Sequence, residues 1–323
     1  MDRVVSEIFD LTRNMIRRFG PRLPGSQACL DAAAFLRNTW KTICDTMSLQ
    51  HFQQTPGSFY SLPAIIVGSY IAGSLLFFLQ GKFLLPSFVV YLMGMIFFIH
   101  QFLFLGTFFD RFFPKRPGCN VWGVIEPEGE ARQTVILGGH HDSTLSCRFL
   151  EKHQEWYAFR LILPIAFFTG ATAVSAILAI RHTADPGISP FARASCIGIG
   201  IGFLFVLPLL RYNGTTGTPG AGDNLMASIL CAKIPEYLAH IHEPLKHTRL
   251  IVLSTDGEEN GQRGSRIFAR HVLSHEHTPK VYAVTIDSIY PRLFINTRFA
   301  QGTRTIQHYS QDDSLSFHAH NYK

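Results

Sequence analysis

The sequence predicts an α/β protein: a mostly parallel mixed sheet flanked by helices, into which two helical hairpins of membrane-crossing length are inserted. Two observations carry this reading. Short apolar runs bounded by turn residues alternate with longer helix-like stretches, the pattern of strands joined by crossover helices. Interleaved with them are four apolar stretches, residues 62–79, 83–109, 161–180 and 194–210, that carry almost no charge. Each approaches the ~20 residues that cross a bilayer as a helix.

Taken in order, residues 1–18 alternate Val4, Val5, Ile8, Leu11 and Ile16 with charge, which reads as an amphipathic helix and not as a signal peptide. The turn 22–26 leads into a helix over 27–43 with Ser26 as its N-cap. Residues 51–54 are strand-like. Strands are then expected over 121–125, 134–137, 249–253 and 281–286, with helices over 225–241 and 262–272. No internal repeat or low-complexity segment is present. Such alternation puts a functional site at the carboxyl ends of the strands.

The four apolar stretches are apolar nearly all round and rich in Phe, Gly and Ile, which suits lipid-facing helices better than buried core helices. Pro86, His100 and Gln101 are the awkward residues of the second one; His100 is either a functional intramembrane group or a hydrogen-bonding partner of a neighbouring helix. The expected organisation is therefore one hydrophilic domain built from residues 1–60, 110–160 and 211–323, interrupted by hairpins at 61–109 and 161–210. Paired crossings return the chain to the same side, so all three hydrophilic blocks share it. Arg111, Lys115, Arg116, Arg160 and Arg211 flank the spans there, against Lys82, Arg181 and Arg193 in the opposite loops, an asymmetry that favours a cytoplasmic hydrophilic domain.

Composition excludes two other classes. The formal net charge is +6 with a pI near 9.1, but the basic residues are dispersed and often beside the spans, so an anionic lipid surface is the expected partner and nucleic acid is not. The six cysteines form no Cys-x-x-Cys pair, and Cys196 lies inside a span. That spacing gives neither a disulfide scaffold nor a thiolate zinc site, and a reducing compartment is the simpler expectation.

Four clusters of acids and histidines sit where apolar runs stop. They are His140-His141-Asp142, Asp223-Asn224 after a Gly-rich turn, Glu258-Glu259 within the 254–261 run, and Asp287. Ionised carboxylates are costly to desolvate unless paired or bound to a metal, so adjacent glutamates at a strand's end suit one metal ligand and one proton shuttle. Taken singly, the 254–261 run equally fits a solvated loop and Asp223 a helix cap. Together the four form a constellation.

In order and spacing these motifs resemble those of the co-catalytic di-zinc aminopeptidases, a family that includes bacterial leucyl aminopeptidase, glutamate carboxypeptidase and glutaminyl cyclase. The carriers are His140-His141-Asp142, Gly220-Ala221-Gly222-Asp223-Asn224, Asp256-Gly257-Glu258-Glu259-Asn260-Gly261 and Asp287. The resemblance implies His140 and Asp287 as ligands of the first zinc, Asp223 as the carboxylate bridging two zinc ions, and Glu259 as a ligand of the second. It implies Glu258 as general base and Asp142 as the carboxylate that orients the site.

The resemblance stops at the carboxyl end. The family carries a further histidine for the second zinc on an additional stretch of sheet and helix, whereas here 36 residues follow Asp287. His308, His318 and His320 lie in a polar tail, 301–323, that shows no clear apolar strand and reads as disordered. The chain is thus expected to be shortened, with the first zinc site complete and the second not. The expected function is that of a membrane-bound zinc exopeptidase of the aminopeptidase type, acting on a peptide or amide. Glutaminyl-cyclase-like acyl transfer is the enzymatic alternative, and a silent receptor or scaffold of the same fold the non-enzymatic one.

Overall fold

Strand β6 (Thr248–Thr255) is buried on both faces from Leu250 onward, which is what a central strand covered by helices on either side requires. The computed structural model describes residues 2–152, 154–184, 189–275, 278–289 and 305–309. The other strands are β1 (Thr46–Gln54), β2 (Arg116–Ile125), β3 (Gln133–His140), β4 (Leu145–Cys147), β5 (Asn213–Gly217), β7 (Val281–Thr285) and β8 (Thr305–Tyr309). The six-stranded sheet runs β1-β2-β6-β3-β7-β8. It is mixed: β6, β3 and β7 are parallel to one another, and antiparallel pairings add β2 and β1 on one side and β8 on the other.

Two compact units divide the chain. The first comprises Met1–Pro56, Lys115–Thr144 and Gly217–Lys323 and holds this sheet. Alternate residues of its strands feed opposite cores. Val121, Leu137, Leu250 and Val252 pack with Leu36, Trp40, Leu225 and Ile229 on one face, and Ile136, Ile251 and Leu253 pack with Phe268 and Val272 on the other. The helices Asp2–Phe19, Gln27–Trp40 and Met226–His240 therefore cover the first face and Arg263–His275 the second. Ser26 caps the second of these helices, its side chain accepting from the Cys29 N–H at 3.2 Å. The amino-terminal helix is amphipathic as expected: Ile8 and Met15 are buried, and Glu7 pairs with Lys233 of the Met226–His240 helix at 2.9 Å.

The second unit, Gly57–Pro114 and Leu145–Thr216, holds the small β4-β5 sheet and four helices long and apolar enough to cross a membrane. These cover Leu62–Leu79, Gly81–Leu103, Gln154–His182 and Pro190–Arg211. Their tight contacts use small residues, which let helices approach closely. Gly73 lies against the Tyr91 ring and Gly94 against Ser69 and Phe168. Polar groups between them are satisfied within the bundle: Ser87 donates to the Gly73 carbonyl at 2.7 Å, Tyr70 to the Ile199 carbonyl at 2.9 Å, and Ser74 and Tyr91 share a hydrogen bond.

Four expectations are revised here. The second apolar helix ends at Leu103 and not near residue 109, because the chain passes through a π turn at Ile99–Leu103 before the short 3-10 turn Phe108–Phe112. Pro86 falls in the first turn of the Leu84–Phe98 helix, where its missing N–H costs nothing. The His100 ring meets Gln101 beside it and the edges of Phe108 and Phe109, all on its own segment and not on a neighbouring helix. Finally, residues 305–309 of the polar tail form a strand, β8, paired antiparallel with β7 and bringing His308 opposite Tyr282; main-chain hydrogen bonds to an open sheet edge do not need an apolar sequence. His318 and His320 lie outside the described residues.

At the end of β3 a Cβ on Gly139 would sit 2.7 Å from the Ser228 nitrogen and 3.0 Å from the Ala227 carbonyl carbon, both backbone. Gly139→Ala should therefore lower the denaturation midpoint, by about 1–3 kcal/mol in stability as for other overpacked sites. Chemical denaturation checks this, and an unchanged midpoint would show that strand and helix separate freely.

Candidate metal centre

Parallel register sets the site. Residue His140, last of β3, stands opposite Thr255, last of β6, and Gly138 stands opposite Thr285, last of β7. Three strands thus end on one edge, and the residues just beyond them meet. Glu258 and Glu259 follow β6, Asp142 follows β3 and Asp287 follows β7.

The loops are tied together by main-chain bonds. Arg22 is fully buried, and its guanidinium donates to the carbonyls of His141 at 2.7 Å, Gly20 at 2.9 Å and Gly220 at 3.0 Å. One side chain therefore joins the loop after His140 to the turn before Asp223. Gly220 holds a left-handed φ of 55° there, and a Cβ on it would press into Ser143 at 2.6 Å. The Asn224 amide donates to the Ile286 carbonyl at 2.8 Å, and Ile289 N–H to the Gly222 carbonyl at 2.8 Å. These two bonds hold Asp223 beside Asp287.

His140 is the centre, 2% exposed. Its Nε2 lies 3.2 Å from Asp223 Oδ1, 3.8 Å from Asp287 Oδ1 and 3.9 Å from Glu258 Oε2. Its Nδ1 faces Asp142, 3.3 Å from Oδ1 and 3.2 Å from the main-chain oxygen. Asp142, itself fully buried, accepts from the Glu259 N–H at 3.1 Å through its other carboxylate oxygen, so it aligns both the imidazole and the glutamate pair. Burial pushes Glu258 up to about 7 and Glu259 up to about 9, with Asp142 and Asp223 adding repulsion in both cases against His140.

His141 points away from this centre. Its Nδ1 shares a 2.9 Å hydrogen bond with Ser254 Oγ, and burial holds its pKa down to about 3, so it is neutral. Cys29, His141 and Asp256 place donor atoms within 4.8 Å of one another behind the site. Burial and the charge of Asp256 raise the Cys29 thiol well above its ordinary value, which keeps it a hydrogen-bond donor to that carboxylate.

A metal ion fits the first donor set. His140, Asp223 and Asp287 each bring one ligand atom within 4.8 Å of the others. Ligands ~2.0 Å from a tetrahedral zinc stand ~3.3 Å apart, close to the 3.2 and 3.8 Å measured from His140 Nε2. The Nε2 atom and Glu259 Oε1 are buried without a hydrogen-bond partner, as a coordinating atom is before its ion arrives. Among the described residues no third donor joins Asp223 and Glu259 at the same spacing.

Some supporting residues carried no signal in the sequence. Gln54 donates to Asp256 Oδ1 at 3.2 Å and accepts from Asn260 at 3.0 Å; Asn120 Oδ1 accepts from the Asp256 N–H at 3.1 Å. Both belong to strands on the antiparallel side of the sheet and brace the 256–261 turn, which itself needs left-handed φ at Gly257 (74°) and Gly261 (100°). Arg22 stood in a turn with only its position beside Pro24 and Gly25 to mark it.

The first unit is an α/β domain whose mixed sheet, flanked by helices, brings His140, Asp223 and Asp287 together at the carboxyl ends of its parallel strands. Residues 210–319 match the family described as Peptidase family M28. That segment contains Asp223, Glu258, Glu259 and Asp287 and is the family pattern the motifs resemble. Similar solved structures include glutaminyl cyclase from Fimbriiglobus ruber (11% identity, TM-score 0.43, covering 88% of this chain and 60% of that one). Others are a Zn-dependent exopeptidase from Parabacteroides distasonis (12%, 0.40, 88% and 61%) and a leucine aminopeptidase precursor from Bacteroides thetaiotaomicron (11%, 0.41, 87% and 61%). The chain spans about three fifths of the length of these proteins. No curated protein matches.

Replacing Arg22 by Met should leave the His141 and Gly220 carbonyls buried and unpaired, at about 1–3 kcal/mol each. Stability should fall by a few kcal/mol, and zinc affinity with it because the His140 and Asp223 loops lose their tie. Arg22→Lys should not rescue either, since one ammonium lacks the planar fork. Denaturation and zinc calorimetry on the variants check both, and full zinc affinity in Arg22→Met would show that the loops hold themselves.

Proposed function

We propose that the chain is a membrane-anchored zinc-dependent exopeptidase of the aminopeptidase type. The observation that carries this is the convergence of His140, Asp223 and Asp287 into one donor set with Glu258 beside it. When bound, zinc supplies Lewis acidity and brings the pKa of water towards about 7. His140, Asp223 and Asp287 hold the ion, and Glu259 offers one further carboxylate oxygen. Asp142 keeps the His140 ring turned so that Nε2 faces the donor set. Glu258, partly open to solvent, takes the proton of the attacking water and delivers it to the leaving amine. No serine or cysteine nucleophile is needed. The intact set of five residues argues against a silent scaffold.

The four apolar helices are read as membrane spans. Only 22–33% of each is buried in the fold, and large apolar side chains such as Ile162, Ile180, Ile197 and Leu204 project outward. A helix apolar on its outer face belongs in lipid. The basic flanks at Arg111, Lys115, Arg116, Arg160 and Arg211 favour a cytoplasmic metal centre.

Glu258→Gln should lower turnover by about 10²–10⁴-fold, the usual worth of a proton-transfer group, while zinc content stays intact; Asp287→Ala should instead lower zinc content. An aminoacyl-amide and dipeptide panel with metal analysis reads both. Undiminished hydrolysis in Glu258→Gln would remove the mechanism, and cyclisation of a glutaminyl peptide without hydrolysis would move the assignment to acyl transfer.

Zinc titration should find one tight equivalent per chain, with a second bound weakly. Two tight equivalents, falling to one when His308, His318 and His320 are replaced by alanine, would show that the tail completes a second site. Extraction should require detergent; release of the protein by carbonate would contradict the spans.

A further inference from the structure

We propose that the second helical hairpin carries a binding site for one anionic phospholipid, with Arg148, Arg160 and Arg211 around the phosphate and the furrow between its two helices receiving an acyl chain. The inference rests on reading the four helices as membrane spans. It concerns a different part of the chain from the metal centre.

The polar end of the site is a cavity of about 850 Å³ lined by the three arginines together with Phe149, Trp156 and Phe205. Two prolines open it. Pro164 lies inside the Tyr157–Ala184 helix, where its ring displaces the carbonyl of Arg160 four residues back and frees that oxygen. Pro208 stands where the Pro190–Val206 helix gives way to the 3-10 turn Leu207–Arg211. Both prolines line the cavity, one within its helix and the other where its helix passes into the 3-10 turn.

Charge decides what the cavity takes. Among the described residues none of the ion pairs involves Arg148, Arg160 or Arg211. Three arginines thus line one cavity that no carboxylate lines, which favours an anion, and a phosphodiester suits their planar forks. Arg160 is held in place, its guanidinium carbon 5.3 Å from the centroid of the buried Phe149 ring. Trp156 and Phe159 form an edge-on pair at 5.7 Å and are about half exposed on the rim, as aromatic side chains are at headgroup level.

The apolar end explains why the anion belongs to a lipid. A second cavity of about 310 Å³ follows along the same two helices, lined by Phe167, Gly170, Val174, Ser195, Gly198 and Ile199. Gly170 stands about 15 Å along the helix from Arg160 at 1.5 Å per residue, roughly the hydrocarbon depth of one leaflet. Gly73 is packed against Tyr91 and Gly94 against Ser69, whereas a Cβ on Gly170 or Gly198, the two glycines that line this furrow, would meet nothing within 4 Å. The chain itself does not fill this furrow. A free phosphate would use the arginines and leave the furrow bare; a phospholipid uses both.

Trp156 gives the readout. Full-length protein in phosphatidylcholine nanodiscs is titrated with phosphatidylglycerol brominated on its acyl chains, and the Trp156→Phe variant supplies the background from the other tryptophans. The expected result is saturable quenching at low mole fraction of phosphatidylglycerol, with half-saturation raised about fivefold for each arginine changed to Gln. Gly198→Leu, which fills the furrow without touching the charges, should also weaken the lipid. Equal quenching by brominated phosphatidylcholine, or titrations unmoved by the arginine changes, would overturn the proposal while leaving the spans in place. Displacement of the lipid by millimolar inorganic phosphate, together with an unchanged Gly198→Leu, would also overturn it, leaving an anion site only. Should one arginine variant fail to fold, the other single variants and Gly198→Leu decide. Protein that does not enter nanodiscs at all would instead refute the membrane reading.

Discussion

The constraint on which the first unit turns is the desolvation of carboxylates. Asp142, Asp223, Glu258, Glu259 and Asp287 gather around one imidazole, and burial, with repulsion from the neighbouring carboxylates, raises the two glutamates above their ordinary values. Like charges so close together are unfavourable in a low-dielectric site. A divalent cation at His140, Asp223 and Asp287 would offset that cost, because it would be the largest local charge and would reverse the preference for protonation. The fold can keep such a cluster only if the surrounding backbone is held rigidly, which is the task of Arg22, Asn224, Gln54 and Asn120.

Rigid placement follows from the sheet. Parallel pairing of β6, β3 and β7 brings three carboxyl ends to one edge in register, so residues separated by more than a hundred positions in sequence meet without long loops. The antiparallel strands β1 and β2 then serve as a brace, since Gln54 and Asn120 reach from them to the 256–261 turn. Asp256 illustrates the division of labour: it belongs to the same motif as the glutamates, yet it is turned inward onto Gln54, Cys119 and Cys29 and fixes the turn instead of joining the cluster around His140.

The second unit is built differently. Within it polar side chains pair inside the bundle and small residues set helix spacing, whereas bulky apolar side chains such as Ile162, Ile180 and Leu204 are exposed. Arg148, Arg160 and Arg211 line a cavity at one end of its second hairpin, and Gly170 and Gly198 line another further along the same helices.

Much was legible in the sequence because it is written locally. Apolar runs ending in His140, Glu258 and Asp287 declare strand ends, since a strand's period and its turn residues lie within a few positions. Four long uncharged stretches declare helices long and apolar enough to cross a membrane. The donor residues were visible because carboxylates and histidine beside apolar strands have few cheap explanations. Tertiary structure alone decided which of those side chains meet. The motif resemblance singled out His140 over His141, but only the fold shows where each goes: His140 to the acidic edge and His141 to Ser254. Arg22 shows no motif, and its role exists only because three separate loops converge on it. The strand formed by 305–309 was likewise invisible, because it depends on the exposed edge of β7 and not on its own side chains. Long-range pairing is a property of the folded sheet, and no local pattern encodes it.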